Sequence, residues 1–191
     1  QEEANIEGTR HAVELADAIA AGCFHHVSSI AAAGLYEGVF REDMFDEAEG
    51  LDHPYFMTKH ESEKIVRTES KVPWTVYRPA LVVGDSQTGE MDKIDGPYYF
   101  FKLIQRMRQL LPPWIPSVGL EGGRINIVPV DFVVASLDHI SHLKIDLNKR
   151  CFHLVDPEGY RVGDVLDIFS KAAHAPKMNL FINAALFGFI P

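Results

Sequence analysis

Four short apolar runs, at residues 23–29, 72–78, 125–128 and 151–155, alternate along the chain with stretches of helical periodicity. Helices are expected over 5–21, 53–70, 97–111, 130–143 and 162–173, with Gly22 ending the first and Pro54 opening the second. That order leaves little choice of architecture. Strands joined by helical crossovers lie parallel, and the crossovers cover both faces of the sheet, so the fold class is α/β with a doubly wound parallel sheet. At 191 residues and 47% apolar, the chain can bury one sizeable core.

A complete nucleotide-binding sheet of this kind opens with a strand, a glycine fingerprint and a helix. No such opening is present: Gly119, Gly122 and Gly123 follow a proline-rich loop and precede a strand, which is the wrong order. The chain therefore reads as the downstream portion of a larger enzyme, with the glycine-fingerprint half absent. Residues 1–84 are expected to form the second half of a dinucleotide-binding domain. Residues 85–191 are expected to form a small substrate-binding region interleaved with late sheet elements and truncated at its end. The apolar stretch 178–191 is expected to be a packing helix, with a membrane-surface or dimer contact as the alternative. Residues 112–123 are expected to be a loop.

The chemistry sits on the first two units. Ser29 ends a strand, and Tyr55 and Lys59 follow on the next helix, one turn apart and so on one face. A tyrosine so placed can hold or deliver a proton at a carbonyl oxygen, with the lysine charge favouring the phenolate. A serine hydroxyl adds a second hydrogen bond as negative charge builds on that oxygen. Each piece alone has a plainer reading, since a serine pair such as Ser28-Ser29 closes many turns. Residues 30–52, rich in Ala, Gly and acids, are too long for a simple connector and fit an active-site rim.

Composition closes off other classes. A net charge of −9 with no basic stripe argues against nucleic-acid binding, and Lys102, Arg106 and Arg108 read as a solvated helix face. Cys23 and Cys151 read as buried thiols of a reducing, cytoplasmic compartment, with peripheral membrane contact left open. The nine histidines show no metal spacing, so no metal site is expected. No run of about 20 apolar residues is long enough for a transmembrane span.

Taken together, ANIEGT at 4–9, HVSSIAAAG at 26–34, YFMTK at 55–59, TVYRPALVVGDSQTGE at 75–90 and INIVPVDFVVASLDHI at 125–140 resemble the extended short-chain dehydrogenases/reductases. The resemblance covers residues 4–172 and implies a Rossmann-type fold. Arg78-Pro79, followed by Gly84, Asp85, Ser86, Thr88 and Gly89, resembles the thioester-reductase and fatty-acyl-CoA-reductase branch, which reduces an acyl thioester to an aldehyde with NADPH.

The resemblance implies catalytic roles for Ser29, Tyr55 and Lys59. It implies cofactor contacts from Ser28, Tyr55 and Lys59 and from the segment Pro79, Ala80, Leu81 and Val82. Asn5 would anchor its helix or a water chain to Lys59. NADPH is the expected cofactor, with NADH the alternative. The expected partner is an acyl thioester on coenzyme A or an acyl carrier protein, and a homodimer would form through 5–21 and 53–70. Tyr98, Tyr99, Phe100, Phe101 and Trp114 are candidates for an acyl pocket, or else plain core. Two rivals stand beside this reading: a hydroxysteroid or alcohol dehydrogenase or sugar-nucleotide epimerase of the same fold, and a non-catalytic dinucleotide sensor.

Overall fold

The computed structural model describes residues 3–92, 98, 100–112, 117–121, 123–176 and 178–183, with side chains left aside at 103, 117–121 and 178–183. A π-helical turn, Glu3–Glu7, leads into α1 (Gly8–Ala18), then β1 (Phe24–Val27), a 3₁₀ turn (Ile30–Ala33) and α2 (Pro54–Glu69). There follow β2 (Trp74–Pro79), β3 (Leu81–Val83), α3 (Phe100–Leu110), β4 (Ser117–Glu121), β5 (Arg124–Ile125), β6 (Ile127–Pro129) and α4 (Val130–Ser141). The chain continues through β7 (Arg150–Leu154), β8 (Tyr160–Arg161), α5 (Val162–Ala172) and β9 (Met178–Asn183).

Two compact units emerge. The first comprises residues 1–82 and 128–155, the second 83–127 and 156–191. In the first, β1, β2 and β7 form a parallel ladder with β2 central, Val27 opposite Tyr77 and Val76 opposite Cys151. Every residue of β2 is buried, as a central parallel strand covered on both faces requires. Its side chains alternate. Trp74 and Val76 pack with Val13 of α1, Ile65 and Val66 of α2 and Cys151 of β7. On the opposite face Tyr77 packs with Val133, Leu137 and Ile140 of α4 and with Leu154 of β7. This is the α/β, Rossmann-type fold expected from the strand–helix alternation.

The end of α1 departs from expectation. The left-handed turn falls at Ala20 (φ 50°), two residues before Gly22, with Ala21 N–H donating to the Ala16 carbonyl at 2.9 Å. Asp17 then ties the helix end to the next crossover by accepting from the N–H groups of Lys71 (2.9 Å) and Val72 (3.1 Å).

Three other expectations are corrected. Residues 117–121 form a strand rather than loop, and 178–183 form β9, parallel to β4, rather than a packing helix. The strand expected at 125–128 divides into β5, which pairs antiparallel with β8, and β6, which pairs with β3. Residues 184–191 of the expected helix lie outside the described residues. In this unit Ile104 of α3 and Leu166 of α5 share a small core with Ala175.

Candidate active site

In a parallel ladder all carboxyl ends of the strands lie at one edge, and ligands collect there. β1 ends at Val27, and Ser28 N–H continues the ladder by donating to the Tyr77 carbonyl at 2.8 Å. Ser28 and Ser29 are therefore neighbours of the Arg78–Pro79 end of β2. Pro79 and Ala80 are buried, Leu81 and Val82 are half-buried, and the Ala80 N–H donates to the Leu154 carbonyl at 3.0 Å.

Ser29 is buried and extended (φ −162°, ψ 156°), and its hydroxyl accepts from Ala31 N–H at 3.2 Å, capping the 3₁₀ turn. Helix α2 packs on that turn. His60 donates from Nδ1 to the Ala32 carbonyl at 3.0 Å, and its ring stacks on Phe45 at 4.3 Å. α2 itself starts with His53 as N-cap, accepting from Tyr55 N–H at 3.2 Å, and Pro54 in the first turn, where its missing N–H costs nothing. Tyr55 is thereby held in the first turn and is 36% exposed. Lys59 follows one turn on, partly buried, and that burial lowers its pKa from the ordinary lysine value. The helix that carries Tyr55 and Lys59 and the turn capped by Ser29 thus pack directly against each other.

Asn5 lies in the π-helical turn and donates from Nδ2 to Thr58 Oγ1 at 3.2 Å, while Thr58 donates to the Tyr55 carbonyl at 3.2 Å. The Asn5 side chain therefore meets the hydroxyl of Thr58, the residue before Lys59, and through it the Tyr55 carbonyl.

Ser28 is placed differently from its neighbour. Its hydroxyl donates to Glu63 Oε2 at 2.8 Å, inside a buried ion cluster. Arg78 donates to the same carboxylate from Nε (3.0 Å) and Nη2 (2.7 Å), and Arg67 donates from Nε at 2.8 Å. Burial pushes the Glu63 carboxyl up, but the hydrogen bonds and charges of Arg78, Arg67 and Ser28 outweigh it and hold the pKa below the usual glutamate value. Sequence reasoning passed over Glu63 and Arg67. Their signal was the spacing Lys59, Glu63, Arg67 on one helix face, and an arginine inside an apolar strand.

His26, on the same side of β1, has an Nε2 buried without a partner among the described residues. Burial lowers its pKa to about 4, with Glu63 opposing the shift and Lys59 adding to it. Cys151 is a buried free thiol with its pKa raised by burial to about 11, and Cys23 is also free.

The aromatic residues proposed for an acyl pocket divide. Phe100 packs on the core of the second unit, and Tyr98 accepts from Gly84 N–H at 2.9 Å. Phe101, Ile104 and Gln105 of α3 line a cavity of about 230 Å³ with Phe169, Ala172 and Ala173. Tyr99 and Trp114 lie outside the described residues. Lys102, Arg106 and Arg108 are exposed, the solvated face expected of them.

Residues 1–137 match the NAD-binding family described as male sterility protein. The chain belongs to this family. It is 32% identical over 182 residues to the nonribosomal peptide synthetase hkm10 of Aspergillus hancockii, covering 88% of this chain and 17% of that protein. It is 29% identical over 166 residues to the aldehyde reductase lnaA of Aspergillus flavus, covering 81% and 15%. The chain thus spans less than a fifth of these relatives. Among solved structures, the terminal R domain of the myxalamid PKS-NRPS pathway superposes with a TM-score of 0.65 at 27% identity, covering 85% of this chain and 40% of that one. A UDP-glucuronic acid 4-epimerase from Bacillus cereus in complex with NAD superposes at 0.67 and 20% identity, covering 94% and 56%, and shares the fold. Among the described residues no helix is long and apolar enough to cross a membrane.

Proposed function

We propose that the protein carrying this chain reduces an acyl thioester to an aldehyde at the expense of NADPH. The observation that carries this reading is the packing of the Ser29 turn against the helix bearing Tyr55 and Lys59 at the carboxyl edge of the ladder. Similarity to a nonribosomal peptide synthetase and to the terminal R domain of a PKS-NRPS pathway favours a carrier-bound thioester over other carbonyl substrates.

The residues present suit a reduced nicotinamide nucleotide. Lys59, a partly buried cation one turn from Tyr55, would hold a ribose hydroxyl, and the Pro79–Val82 backbone would give further contacts to the nucleotide. When bound, the nucleotide supplies the hydride that forms the new C–H bond at the acyl carbon. Ser29 and Tyr55 hold the oxygen on which charge develops, and the Tyr55 hydroxyl provides its proton. Lys59 stabilises the phenolate left behind. The tetrahedral hemithioacetal then breaks its C–S bond: the hydroxyl proton returns toward Tyr55, the carbonyl re-forms as aldehyde, and the thiolate leaves and is protonated to the free thiol. No step requires a cysteine nucleophile, consistent with Cys151 buried and held as thiol.

NADPH consumption by the full-length protein, offered a long-chain acyl-CoA and separately a ketosteroid, tests this. Acyl-dependent turnover releasing aldehyde and free thiol, abolished in Tyr55→Phe, is the expected result. Turnover confined to the ketone would reassign the protein to the dehydrogenases. Cofactor binding without turnover would make it a sensor.

A further inference from the structure

Arg78 has no solvent exposure, yet its guanidinium touches three separate parts of the first unit. Through Nε and Nη2 it forks onto Glu63 of α2, and through Nη2 it also donates to the Met44 carbonyl at 3.0 Å. Nη1 meets His153 Nε2 of β7 at 3.2 Å. Because an arginine only donates, that nitrogen must be the unprotonated one. Burial first, then the Arg78 charge, lowers the His153 pKa and so favours the neutral ring. The Phe40 ring lies 5.1 Å from the guanidinium carbon.

Met44 and Phe40 belong to the segment 34–52, which leaves the Ser29 turn and returns to open α2. The neck of that segment is closed by Leu35 N–H donating to the Glu49 carbonyl at 2.6 Å. Its far side is tied to β7 by His153 N–H donating to Glu42 Oε1 at 2.7 Å. Within it, the Met44 carbonyl and the Phe40 ring both rest on Arg78. The carboxylate that Arg78 orients also accepts from Ser28, the residue before Ser29.

We propose that Arg78 is a positioning residue: it locks the rim segment 34–52 and, through Glu63 and Ser28, the Ser29 turn onto the helix that carries Tyr55. The inference deepens the carbonyl-reductase reading and rests on it for its kinetic arm. Guanidinium geometry is what the role demands, since Arg78 makes four hydrogen bonds from three nitrogens and an ammonium of equal charge has only three donors on one atom.

The test uses the full-length protein with Arg78→Lys, Ser28→Ala and Phe40→Ala. Arg78→Lys is expected to lower kcat about 10- to 100-fold through small misplacement of the serine, with NADPH affinity held within about twofold. Amide exchange over residues 35–49 rises while that of α2 is kept. Phe40→Ala leaves the buried ion pair intact and raises exchange in the rim alone, which covers the case in which Arg78→Lys does not fold. Ser28→Ala lowers kcat with the rim unchanged, and costs little further in a Ser29→Ala background because Ser28 acts through the placement of Ser29. Unchanged rim exchange in both Arg78→Lys and Phe40→Ala overturns the proposal. So does a loss of NADPH affinity equal to the loss of kcat, which would make these residues cofactor ligands. If the wild type reduces no carbonyl, the functional reading falls, while the exchange measurements still decide the clamp.

Discussion

Glu63 and Arg78 face each other with both side chains fully buried, joined by hydrogen bonds of 2.7 and 3.0 Å from one guanidinium to the two carboxylate oxygens. Desolvating two charges is costly, and such a pair persists where its remaining lone pairs and protons are also engaged. Here they are: Ser28 and Arg67 bind the carboxylate, and Met44 and His153 accept from the guanidinium.

Removing one partner therefore costs more than the pair contributes. Glu63→Ala is expected to destabilise the protein by about 3–5 kcal/mol, since it leaves the Arg78 charge buried and uncompensated. Chemical denaturation measures this. Because the folded carboxyl lies below its unfolded value of 4.5, its contribution is complete above that pH and is lost as pH falls through the depressed value.

His26 produces a second acid-sensitive window, at higher pH. Its folded pKa of about 4 against 6.5 unfolded means that the folded state binds fewer protons between these values. Stability is full above pH 6.5 and falls as pH drops toward 4, by about 3 kcal/mol at most. In His26→Phe, denaturation midpoints taken across this window should flatten.

At Gly34 the backbone adopts φ 65° and ψ −130°, and an added Cβ would land on the Glu49 carbonyl oxygen. Gly34→Ala should destabilise by about 3 kcal/mol, combining backbone strain with the overlap. Thermal melts of the variant check this, and exchange at Leu35 and Glu49 should rise with it.

Ala20 holds a left-handed conformation that a side chain disfavours, and it is exposed. Ala20→Gly should raise stability by about 1 kcal/mol, against the usual cost of glycine near a helix. An unchanged or lower denaturation midpoint would contradict this.

Tyr55→Phe removes one hydroxyl from a partly exposed side chain and leaves the packing of α2 alone. A fall in kcat of about 10²- to 10⁴-fold with NADPH binding retained is the expected split for a lost proton donor. Stopped-flow hydride transfer and a cofactor titration separate the two quantities.

Much of the first unit was legible in the chain. The apolar runs at 23–29, 72–78 and 151–155 became the ladder β1, β2 and β7, and the helix at 53–70 became α2, because periodicity and Pro54 are local signals. The second unit was less legible. β9 and β4 are far apart in sequence and, among the described residues, pair only with each other. An apolar run such as 178–183 does not by itself distinguish a strand from a buried helix.

By itself, then, the order of residues determined that strands and helices alternate, that Tyr55 and Lys59 share a helix face, and that Ser29 stands at a strand end. Those facts follow from the geometry of a single element, 3.6 residues per turn or two per pleat. Only the tertiary structure decided that Ser28 turns to Glu63 while Ser29 caps the next turn, and that Arg78 joins the rim, the ladder and α2. Hydrogen bonds between residues 15 to 35 positions apart depend on the packing of whole elements, which no local spacing encodes.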